Sequence, residues 1–157
     1  MRPRLRGRPR LRGRPRLRLA GRVIVLDPRD QVLLFRYDDG PPNGVHWTTP
    51  GGGLNKGESY TAGALRELAE ETGWTDVTLG PLACEREFTM GYGNRIVRQR
   101  ERLFFARVPQ AGRPVANIAG MHESDGIAHW RWWSLAEIDA TSENIWPADL
   151  AELIRRG

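Results

Sequence analysis

One stretch of this chain leaves little freedom in how it can fold. Gly52-Gly53-Leu54-Asn55-Lys56-Gly57-Glu58 is a glycine-punctuated loop, followed by a helix-forming segment from about Thr61 to Thr72 that closes on Gly73. A glycine just past a helix accepts the left-handed backbone that ends it, because no Cβ meets the preceding carbonyl. At about 100° per residue, Leu65, Leu68, Ala69 and Thr72 share one stripe, and Glu67, Glu70 and Glu71 gather opposite. The stripe needs a second layer to cover it, and the three carboxylates are expected to face outward. Like charges three and four apart repel by about 0.2–0.5 kcal/mol per pair, so the cluster is unfavourable until a cation meets it. Carboxylate oxygens are hard ligands suited to Mg²⁺ or Mn²⁺, and Arg66 adds a fixed charge that can orient a neighbouring glutamate. Taken alone, the three glutamates are better explained by a solvated acidic face.

The second layer is written on both sides of this segment. Arg22–Asp27 and Gln31–Arg36 are short, β-branched, apolar runs joined at Asp27-Pro28-Arg29-Asp30, which reads as two strands and a turn. Val45–Thr48 resumes extended structure after an Asp-, Gly- and Pro-rich loop. Val77–Thr89 and Arg95–Val108 read as long strands around a turn at Gly91–Asn94, and Ile127–Trp133 as another. Ser134 is placed to cap a short helix through Ile138, and Pro147 to open a last helix to about Ile154. Strands flanking one central helix, with another helix at the end, predict an α/β sandwich with a mixed sheet.

Charge divides the chain. Residues 1–18 hold nine arginines and no acid, in a repeat of Arg-Pro-Arg-Leu-Arg-Gly. The remaining fifteen basic residues face nineteen acidic ones, so residues 19–157 sum to −4 although the whole chain is +5. Residues 1–18 read as a disordered, polyproline-like tail, and residues 19–157 as one domain. The tail either holds RNA or another anionic surface electrostatically or is a translated repeat without a selected role. It lacks the apolar stretch of a secretory signal, and no apolar run is long enough to cross a membrane. Cys84 is the sole cysteine, which fits a reducing, cytoplasmic setting and a packing role.

Spacing decides between the metal site and the solvated face. Glycine, five residues, glutamate, seven residues, then Arg66-Glu67-Leu68-Ala69-Glu70-Glu71-Thr72-Gly73-Trp74 matches the Nudix box at every fixed position, unbroken over the 23 residues from Gly52 to Trp74. The chain therefore resembles the Nudix hydrolases. The resemblance implies an α/β/α sandwich with a mixed sheet and one to three divalent ions, Mg²⁺ or Mn²⁺, on Glu67, Glu70 and Glu71, with the Gly52 carbonyl nearby. It implies hydrolysis of a nucleoside diphosphate linked to another group, with metal lowering the pKa of water. Glu70, Glu71 and Arg66 are then the catalytic residues of the box, and Glu58 supports the loop with Arg66 as its partner.

A general base or further ligand is expected from outside the box, with Glu123 the first candidate and Glu101 the second. Arg98, Arg100 and Arg102 alternate onto one strand face, with Gln99, Glu101 and Leu103 on the other. Arg98 and Arg100 are candidates for gripping polyphosphate, against the alternative of a charged strand edge. Trp47, like Trp130, Trp132 and Trp133, reads first as core, with Tyr92, Phe88 and Trp47 as candidate base stackers. Tyr92 lies eighteen residues past Trp74, near where relatives acting on diadenosine polyphosphates carry a tyrosine. Small nucleotides are the expected partners, nucleic acid only through the basic tail, and a homodimer is common among relatives. A non-catalytic nucleotide-binding module and an RNA 5′-end pyrophosphohydrolase are the two other functions compatible with these residues.

Overall fold

The computed structural model describes residues 15–41, 43–111 and 127–157. Its strands are β1 (Leu17–Leu26), β2 (Val32–Asp38), β3 (Val45–Thr48), β4 (Gly51–Gly53), β5 (Leu82–Tyr92), β6 (Arg95–Arg107), β7 (Ile127–Trp133) and β8 (Ile145–Trp146). The helices are α1 (Tyr60–Thr72), α2 (Leu135–Ala140) and α3 (Leu150–Arg156). The sheet runs β5-β6-β1-β2-β3-β8, with β4 added on β1 and β7 on β2. β1 pairs parallel with β6 and antiparallel with β2 and β4, so the sheet is mixed, as expected. Among the described residues no helix is long and apolar enough to cross a membrane.

Alternation along β1 builds two cores. Val23 and Val25 join Leu33, Phe35 and Phe104 beneath Ala64 and Leu68 of α1. Ile24 and Leu26 join Leu34, Leu103 and Trp133 beneath Leu150 and Ile154 of α3. A strand buried on both faces reads as a continuous apolar run, which Val23–Leu26 is. Trp47 and Trp133 are core residues, meeting edge to face at 5.2 Å. The result is the α/β/α layering.

Three element starts differ from the sequence reading by three residues or more. β1 starts at Leu17, so Leu17 and Arg18 belong to the sheet and not to the tail; the partner that extends them is β6, where Leu17 sits opposite Arg98 and Arg18 opposite Gln99. β5 starts at Leu82 and leaves residues 77–81 irregular, because Pro81 has no N–H for the ladder; Val77 and Leu79 still pack on the first core. The last helix begins at Leu150, not Pro147, since Trp146 is still extended and paired with Thr48.

Candidate active site

The loop and helix are locked by local capping and by one arginine. Ser59 accepts the Ala62 amide at 3.1 Å to start α1. Gly73, at φ 79°, donates to the Ala69 carbonyl at 2.8 Å to end it. Arg66 donates to both oxygens of Glu58 at 2.9 Å and to the Gly53 carbonyl at 2.9 Å. Its Nη1 donates to Glu67 at 3.1 Å and to Glu70 at 3.2 Å. Glu58 in turn accepts the Asn55 amide at 3.0 Å. Hydrogen bonds to Glu58 first, and to Glu70 and Glu67, raise the Arg66 pKa against the effect of its partial burial, so it stays charged. The same contact lowers the pKa of Glu58. Glu58 is thus the loop support that the sequence suggested.

The three helix glutamates do not share one environment. Glu70 is the outermost, with its side chain 46% exposed. Glu67 lies over Gly52, whose backbone leaves no room for a Cβ beneath the carboxylate. Glu71 is only 3% exposed and its Oε2 accepts the Gly51 amide at 3.1 Å. The expectation of three outward carboxylates is therefore corrected for Glu71. The inward face of α1 carries Ala64, Leu68, Glu71 and Thr72 and not Leu65, which is exposed, and β4 packs against both α1 and β1. Among the described residues no three acids, histidines or cysteines form a ready metal cage. The donors at hand are nevertheless all oxygens, and Arg66 supplies Glu67 and Glu70 with positive charge. An all-oxygen donor set suits a hard divalent ion.

These glutamates edge a cavity of about 880 Å³. Its floor is the face of β1 and β6 that carries Arg18, Arg22, Gln99 and Glu101. Arg22 Nε donates to Glu101 at 2.8 Å and its Nη1 to the Thr49 carbonyl at 2.9 Å; Gln99 donates to the same Glu101 oxygen at 3.0 Å. Burial opposes the charge on Arg22, but the neighbouring Glu101 and Tyr37, with Glu71 further off, outweigh it and hold its pKa above the ordinary value. Opposite stands His46, 3% exposed and stacked between Tyr37 at 5.5 Å and Trp146 at 3.7 Å. Burial pushes its pKa down to about 4, a Gly44 backbone contact offsetting only part, so His46 is neutral near pH 7.

Gly52, Glu67, Glu70 and Glu71 thus meet at one cavity edge, with Arg66 clamping the helix and loop that present them. Tyr92 stands at the rim, 54% exposed, with the Arg18 guanidinium 4.3 Å from its ring centre. Phe88 also lines the cavity, whereas Trp47 is in the core. Arg98 and Arg100 do not reach the cavity: both lie against Glu87 on the opposite strand face, at 3.0 Å each. The alternation was legible, but the inner face is the one bearing Gln99 and Glu101, because β6 continues inward at Leu103 toward the α3 core. Glu123 lies outside the described residues. Arg18, Arg22 and His46 line the cavity as well, and so does Arg86, which donates to Asp149 at 2.9 Å. None was among the sequence candidates, and polar residues at sheet positions between apolar neighbours, such as Arg22 and His46, were the available signal.

A mixed sheet carries a cavity with an arginine-clamped row of glutamates at its edge, and the matching family model and relatives place the chain among the pyrophosphohydrolases. The chain belongs to the Nudix family: the NUDIX domain model matches residues 16–156. An RNA pyrophosphohydrolase of Roseobacter denitrificans is 31% identical over 136 residues, covering 80% of this chain and 79% of that protein. One of Novosphingobium aromaticivorans is 28% identical over 120 residues, 70% of this chain and 73% of that protein. The MutT protein from Methanosarcina mazei Go1 superposes with a TM-score of 0.69 at 22% identity, covering 92% of this chain and 94% of that one. The E. coli dihydroneopterin triphosphate pyrophosphohydrolase gives 0.64 at 19% identity, covering 88% and 92%. At such identities the structural likeness concerns the fold alone.

Proposed function

We propose that this enzyme hydrolyses a phosphoanhydride bond in a nucleoside diphosphate linked to another group, with Mg²⁺ or Mn²⁺ held by Glu67, Glu70, Glu71 and the Gly52 carbonyl. The observation that carries the reading is the Arg66 clamp, which fixes Glu67 and Glu70 beside Gly52 and Glu71 at one edge of a nucleotide-sized cavity. A bound divalent ion supplies acidification of water and neutralisation of charge developing on the phosphate oxygens. Arg66 keeps the carboxylates in place. Arg18 and Arg22 bring positive charge to the cavity floor, where phosphate oxygens need it. Glu101 has one oxygen committed to Arg22 and Gln99, so Glu123 is retained as the general base. No fixed position of the box is replaced, which favours catalysis over a binding module. The single, unbridged Cys84 favours a cytoplasmic setting.

A second reading, that the substrate is the 5′-triphosphate end of RNA, draws support from the two relatives named RNA pyrophosphohydrolase. Both readings meet in one screen with Mg²⁺ and with Mn²⁺ that separates and quantifies the hydrolysis products: nucleoside monophosphate, pyrophosphate, phosphate and other phosphate esters. The panel holds nucleoside triphosphates, oxidised nucleotides, ADP-ribose, diadenosine polyphosphates and 5′-triphosphate RNA. The expected result is one substrate far above the rest, abolished by a chelator and restored by metal. A rate insensitive to chelation contradicts the metal assignment.

A further inference from the structure

Beside the cavity runs a second groove of about 1690 Å³, bounded by Pro15–Leu19, the 53–58 loop and the tip of the β5–β6 hairpin. The two recesses share Arg18, Gly53, Glu67, Tyr92 and Gly93, so the groove opens directly off the catalytic edge. Three of its cations are unpaired. Among the described residues Arg16, Lys56 and Arg95 are exposed and lie against no carboxylate. Most other arginines are neutralised, Arg98 and Arg100 by Glu87 and Arg102 by Glu85 among them. The groove's acids, Glu58 and Glu67, are already met by Arg66. The groove is therefore net positive on a folded part whose summed charge is negative. At its mouth Tyr92 and Ile96 are 54% and 55% exposed, and Arg18 covers Tyr92 from one side. The Arg-Pro repeat joins the fold at Pro15, on the groove's lip, and its sequence adds seven arginines over residues 2–14.

Unpaired cations along a track, with an aromatic ring at its entrance, are the two components of a single-strand nucleic-acid site: charge follows the phosphates and the ring stacks a base. We infer that this groove holds the chain of a single-stranded RNA whose 5′ end lies in the cavity, with Arg16, Lys56 and Arg95 on backbone phosphates and Tyr92 stacked on a base. The inference rests on the 5′-end reading above and adds where the rest of the polymer runs. A membrane or an acidic protein would use the charge but has no use for the ring or for continuity with the catalytic edge.

The test measures binding of the full chain to a 5′-hydroxyl oligoribonucleotide, which requires no hydrolysis, over a range of salt. The triple variant Arg16→Ser/Lys56→Ser/Arg95→Ser should bind roughly 10- to 100-fold more weakly, with a log–log salt slope shallower by about 2, at about 0.7 per phosphate contact. Tyr92→Ala should weaken binding with the slope unchanged. Turnover of the best small nucleotide should be unaffected by the triple variant. Oligonucleotide binding equal in wild type and triple variant overturns the groove while leaving the hydrolase reading intact. Binding to anionic vesicles that oligonucleotide does not compete away overturns it as well. Groove-dependent binding without release from 5′-triphosphate RNA supports the groove and counts only against the 5′-end reading.

Discussion

Gly52→Ala separates the geometry of the catalytic edge from the stability of the fold. Gly52 is in β4 and is not among the glycines with positive φ, so alanine fits its backbone. The new Cβ, however, would stand 2.7 Å from Glu67 Cδ and 2.8 and 2.9 Å from its oxygens. Ordinary contact is about 3.5 Å or more, so the carboxylate must retreat by roughly 1 Å. The end of a flexible side chain can do this at little cost. The change in stability should stay within about 1 kcal/mol, a few degrees in Tm. A displacement of about 1 Å in a catalytic group costs about 10²-fold in rate, or about 2.7 kcal/mol of transition-state stabilisation. The assay pairs kcat on the best substrate and its dependence on metal concentration with thermal unfolding. Expected is a large fall in kcat, a weaker metal response and a nearly unchanged Tm. Wild-type turnover, or a loss explained by unfolding, refutes the placement of Glu67. Gly51→Ala is the contrast: its Cβ would strike the Gly21 carbonyl at 2.4 Å from a φ of 150°, so that variant should lose stability as well.

Glu71→Gln keeps an oxygen to accept the Gly51 amide but removes the charge; turnover should fall by at least about 10²-fold with the fold retained, as followed by kinetics and circular dichroism. Leu68→Ala, at a fully buried position beneath β1, should cost about 2–5 kcal/mol in urea unfolding. The folded pKa of His46, about 4, lies below its unfolded value of 6.5. Its contribution is therefore complete above about pH 6.5 and is lost as the pH falls toward 4. The loss should reach about 3 kcal/mol. Unfolding of His46→Phe compared with wild type across that range checks it, and parallel pH curves would contradict the assignment.

Local chemistry was legible because it is local. The box spans consecutive residues, so the start and end of α1 and the Glu58–Arg66 support could be read from spacing. The apolar stripe, by contrast, was set around Leu65, which is 36% exposed, and α1 instead turns Ala64 and Leu68 inward. Ile127–Trp133 and the Ser134 cap were likewise written in period and turn residues. Glu71 was misread as outward because a helical wheel has no knowledge of β4, which folds back over that side. Arg98 and Arg100 were misassigned for a related reason. Alternation separates two faces of a strand, but only the packing of Leu103 against α3 says which face is inner.

By itself, then, the sequence determined the glutamate-bearing loop and helix, the mixed α/β layering and the charge division between repeat and fold, since each depends on neighbours along the chain. The tertiary structure alone decided that Leu17 and Arg18 join the sheet, that Arg22 and Glu101 meet on the cavity floor, and that His46 is held neutral between two rings. Those contacts join residues 79 and 100 positions apart in the cases of Arg22–Glu101 and His46–Trp146. No local pattern encodes such pairings; they exist only once the parallel β1–β6 register and the β3–β8 pair have closed the sheet around the cavity.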